Sequence, residues 1–135
     1  MDTSTSPREL EAVRQRRAEL REALVQFQRS LADGGVAAAV NRLASEFALH
    51  VEVTEGPGGL HQAILAGDLR LTNQVTALAE EHGAIAADIA ALAAAPDAPD
   101  AAERGAALVD RLDQHRPRGA DLIYEAYETD IGGGD

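Results

Sequence analysis

Residues 71–92 read LTNQVTALAEEHGAIAADIAAL. Leu71, Val75, Leu78, Ile85, Ile89 and Leu92 recur at alternating steps of four and three, and the one place in the series without an aliphatic side chain holds His82. That alternation lays a narrow stripe along an α-helix, the buried seam of a helix bundle. The stretch therefore predicts a bundle helix with a histidine turned into the core. No run in the chain alternates with period two, so no sheet is expected.

The same period extends outward in both directions. Upstream, Val36, Val40, Leu43, Phe47, His50 and Thr54 form a second seam, and Leu10, Val13, Leu20, Leu24, Phe27 and Leu31 a third, with Arg17 midway between Val13 and Leu20. Downstream, Leu108, Leu112, His115, Gly119, Leu122 and Ala126 form a fourth. Breaks at Asp33-Gly-Gly35, Gly56-Pro-Gly-Gly59 and Pro96-Asp-Ala-Pro99 separate the segments, with a weaker one at Gly67-Asp68. Ser6, Pro7 and Glu9 read as N-cap, first-turn proline and capping box of the first helix. The short stretch Leu60–Ala66 reads as a continuation of the second helix, and its His61 as a surface residue outside the seams. The reading is all-α: one domain, residues 1–135, folded as an antiparallel up-down four-helix bundle. Pro117 and Gly119 lie inside the last seam, which predicts a bend or wide turn after His115.

Antiparallel neighbours allow heights to be counted from each turn. Arg17 and His50 flank the first turn, His50 and His82 the second, and His82 and His115 the third, each at a distance of roughly fifteen residues; at about 1.5 Å rise per residue an error of two residues moves a level only about 3 Å. One polar layer is expected, with Arg17, His50, His82 and His115 contributed by the four helices in turn.

Bulk composition narrows what such a layer serves. The net charge is −11 and all twelve basic residues are arginine, which argues against a nucleic-acid or anionic-membrane partner. Met1–Ser6 lacks a basic and an apolar signal region, and the Ala-rich run near Ile85–Ala95 is too short and weak to span a bilayer, so a cytoplasmic location is expected. With no cysteine there is neither a disulfide nor a thiol nucleophile, and no strand-linked Gly-rich phosphate loop is present. Neutral imidazoles are ligands for iron, zinc or copper, and three of them leave positions open for a small molecule. Glu55 and Asp121 are the candidate carboxylates, with Glu46, one turn before His50, a third. Glu55 gains freedom from the helix end, and Asp121 from a wide turn at Pro117. Arg17, costly to bury alone, points to an anion: a metal-bound ligand or a substrate carboxylate.

The segments Phe47-Ala-Leu-His50, Glu80-Glu-His82 and Leu112-Asp-Gln-His115, the last followed by Asp121-Leu-Ile-Tyr124, make the chain resemble the hemerythrin-like family over nearly its whole length. The resemblance implies a four-helix bundle with non-haem iron that binds O2 or peroxide. The family's first-helix histidine falls at Arg17 and its second helix-3 histidine at Ala86. The two carboxylate positions fall at Thr54 and Ala120, one residue before Glu55 and Asp121. One iron per chain is therefore expected in place of two, with zinc as a substitute. The alternative expectation is a metal-free bundle that binds a small ligand or a protein partner.

Overall fold

The computed structural model describes residues 7–127. Helices α1 (Pro7–Asp33), α2 (Val36–Glu55), α4 (Thr72–Ala94) and α5 (Ala101–Tyr127) are long, and α3 (Leu60–Gly67) is a two-turn insert leading through a 3₁₀ turn at Leu69–Leu71. There are no strands among the described residues. The Ser6 cap lies outside them, as does the Glu9 side chain. No helix among them is long and apolar enough to cross a membrane.

Each long helix is a Leu-, Ala- and Glu-rich stripe that needs partners to bury its apolar side. α1 packs on α2, α2 on α4, α4 on α5, and α5 back on α1. Across α4 and α5 the partners Gln74–Glu125, Glu81–Arg118 and Asp88–Arg111 run in opposite order along the two helices. Across α1 and α2, Arg16 meets Glu46 while Glu22 and Gln26 meet Arg42, again in opposite order. Gly34 and Gly35, at φ 97° and 84°, turn the chain between these two helices in a conformation that a Cβ would strain.

The seams are buried as their spacing requires. On α4 every seam position from Val75 to Leu92 is in the core, His82 included. Two apolar clusters result. The larger is built on Leu20, Leu24, Phe27, Val40, Leu43, Phe47, Ile85, Leu92, Leu108 and Leu112. The smaller joins Val13, Leu60, Ile64, Leu71, Val75, Leu78, Leu122 and Ile123. The histidines lie between them in sequence along α2, α4 and α5.

The wide turn expected after His115 does not form in α5. It runs as unbroken α-helix through Pro117, with no bulge among the described residues. Pro117 is exposed, on the face where the lost backbone bond is tolerated, and Leu112 on one side and Leu122 and Ile123 on the other anchor the axis in the two clusters.

Candidate metal centre

The layer forms. His50, His82 and His115 are 4%, 3% and 4% exposed, and each offers one ring nitrogen to a group whose atoms all lie within 4.8 Å of one another. The ring centroids of His50 lie 5.1 Å from His82 and 5.8 Å from His115, and those of His82 and His115 are 4.7 Å apart. Three helices bring them together because each histidine replaces an aliphatic residue in a 4–3 seam.

The outer nitrogens are held from behind. His82 Nδ1 is hydrogen-bonded to Glu55, the last residue of α2. His115 Nδ1 is hydrogen-bonded to Glu81 at 2.5 Å, and the second oxygen of Glu81 accepts from Arg118 at 2.5 Å. An ionised carboxylate only accepts, so each Nδ1 then carries a proton, and in the neutral imidazole the Nε2 atom presents a lone pair. Those two Nε2 atoms face each other at 3.0 Å. Two bare lone pairs at that distance repel, so the arrangement calls for a positive centre, a proton or a metal cation. Carboxylate behind imidazole is also the pairing that orients metal-ligating histidines. Meanwhile His50 Nδ1 is buried with no partner among the described residues, which costs about 1–3 kcal/mol while it stays unmet.

Burial sets the electrostatics. It is the largest cause lowering the pKa of all three histidines; for His50, well below the ordinary value, the charges of His82, His115 and Arg17 add to it. For His82 and His115, the hydrogen bonds they donate to Glu55 and Glu81 oppose the fall without reversing it. The imidazoles thus tend toward the neutral form that binds metals.

The other anticipated residues divide. Glu55 reaches the layer as the partner of His82. Asp121 does not: it is exposed beside Gln74, Glu81, Arg118 and Glu125 around a surface hollow. On a continuous helix, six residues beyond His115 is about 120° around the axis, and without a wide turn nothing brings Asp121 inward. Glu46 pairs with Arg16 at 3.6 Å. Arg17 is half-buried, donates from Nη2 to the Arg116 carbonyl at 3.2 Å, and shares a cavity wall with His50 and His115.

Two residues escaped the sequence reading. Glu81 occupies the position just before a seam residue, a flank that faces the neighbouring helix, and that was its available signal. His61, expected at the surface, is 7% exposed, with its ring stacked on that of His82 at 6.0 Å and 5°. Helix α3 folds Leu60 and Ile64 into the smaller cluster and carries His61 in with them. Three buried histidines gathered in this way, with two carboxylates behind them, have the donor set to hold a metal ion. No protein-family profile, curated protein or solved structure matches the chain.

Proposed function

We propose that the chain is an antiparallel up-down bundle of hemerythrin-like kind that holds one non-haem metal ion on His50, His82 and His115. The carrying observation is the pair of Nε2 atoms facing each other at 3.0 Å, with both Nδ1 atoms engaged by carboxylates. Opposite partner order across α1–α2 and α4–α5 supports the topology. Three imidazoles suit iron, with zinc as substitute, and an ion so held keeps positions open for a small molecule such as O2 or peroxide.

The chain's own residues do the positioning. Glu55 and Glu81 keep the proton on Nδ1 and fix the planes of the two rings. Arg118 holds Glu81 in place, and the apolar clusters close the layer at its two ends. Metal analysis after expression in iron-supplemented cells, followed by zinc titration of the chelator-treated chain, tests the reading. About one ion per chain is expected. Two would mean that carboxylates bridge, and no binding of either metal overturns it.

A second reading rests on the same distance. A separation of 3.0 Å is also ordinary for an N–H···N hydrogen bond, so one extra proton shared by His82 and His115 satisfies the layer without metal. The bundle then acts as a small-ligand or protein-interaction module. Zinc binding by the chelator-treated chain separates the two.

A further inference from the structure

Beside the histidines, between α1 and α5, lies a cavity of about 30 Å³. A water-sized group occupies roughly 10–15 Å³ on this measure, so a ligand of a few heavy atoms fits. One side is apolar, formed by leucines of α1 and α5; the other presents three arginines, Arg17, Arg21 and Arg116, with His50 and His115. The Arg17 guanidinium makes one hydrogen bond, to a backbone carbonyl. No carboxylate pairs with it among the described residues, and the charge that bears on it is another cation, Arg116. A half-buried guanidinium without a counter-charge is costly. Gly119 faces it from α5: a Cβ there would stand 3.2 Å from Arg17 Nη1.

We infer that this cavity binds a short-chain carboxylate, of formate to acetate size, with the carboxylate on the Arg17 fork and any methyl end against the leucines. A planar fork of N–H donors matches a carboxylate in two parallel hydrogen bonds. The His50 ring lines the same wall. None of these contacts requires an ion in the histidine cluster, so the site stands apart from the metal reading.

Calorimetric titration of the chelator-treated chain with sodium acetate tests it. Saturable binding at one site per chain is expected, weakened at least ~10-fold in Arg17→Leu. Pivalate, too bulky for the cavity, should not bind, and chloride should not compete at equal concentration. Absence of saturable binding, equal affinity in Arg17→Leu, or equal binding of pivalate or chloride would overturn the inference. If Arg17→Leu fails to fold by circular dichroism, Gly119→Ala serves instead. It favours helix while crowding the guanidinium, so acetate affinity should drop severalfold in a folded protein; unchanged affinity there counts against the site. Parallel zinc titrations keep the proposals apart: zinc binding without acetate binding sinks this site alone, and the converse sinks the metal centre alone.

Discussion

The two ends of the bundle are built differently. At one end the tight turns at Gly34-Gly35 and at residues 95–100 close over a core made from the four seams themselves, around Phe27, Val40, Leu43, Ile85, Leu92 and Leu108. At the other end the seams do not suffice. The chain inserts α3, and Leu60 and Ile64 complete the cluster of Val13, Leu71, Val75, Leu78, Leu122 and Ile123. Where connections are short, a repeat of aliphatic residues is enough to specify a core. Where the connection is long, part of the core comes from the connection.

Truncation should expose this difference most. Phe27 is fully buried, and Phe27→Ala should cost about 3–5 kcal/mol in urea unfolding. Ile64→Ala should fall near the lower end of the roughly 2–5 kcal/mol range for Ile→Ala, because a two-turn helix can settle into the space. Equal losses at both sites would erase the proposed asymmetry.

Next in size are the supports of the polar layer. Glu55→Gln and Glu81→Gln should each weaken zinc binding about 10–100-fold with the helical spectrum unchanged. An effect below twofold in both would remove them as supports.

A smaller effect follows from acidity. In the metal-free chain, burial lowers the histidine pKa values in the folded state. Below the ordinary value of about 6.5 the unfolded chain takes up protons that the folded chain does not. The stability is present above that pH and is lost as pH falls through it toward the folded values. Melting temperature should therefore drop between pH 7.5 and 5.5, and a flat profile would contradict the buried, neutral layer. Smallest of all, Asp121→Asn should leave zinc affinity within about twofold, since Asp121 is exposed. A tenfold loss would return it to the site.

This asymmetry also explains what was legible in the sequence. His50, His82 and His115 could be read because each interrupts an otherwise aliphatic series, and antiparallel counting set them at one height. Arg17 was legible for the same reason. Glu81 was not, because a residue flanking a seam looks like any solvated glutamate until the neighbouring helix supplies His115. His61 was not, because an eight-residue helix has too few turns to show which side it buries. Asp121 is exposed because α5 continues through Pro117 as α-helix without the extra residue that a wide turn would have supplied.

The sideways cavity bears on rates as well as affinities. With an apolar cluster at either end of the layer, a small solute reaches the histidines most directly past Arg17 and Arg116. Arg17, Arg21 and Arg116 line that side, Arg116 with Asp113 beside it, so the local field there is kinder to anions than the rest of an acidic surface. The same side is then the way in for any small solute that reaches the layer without local opening of the helices.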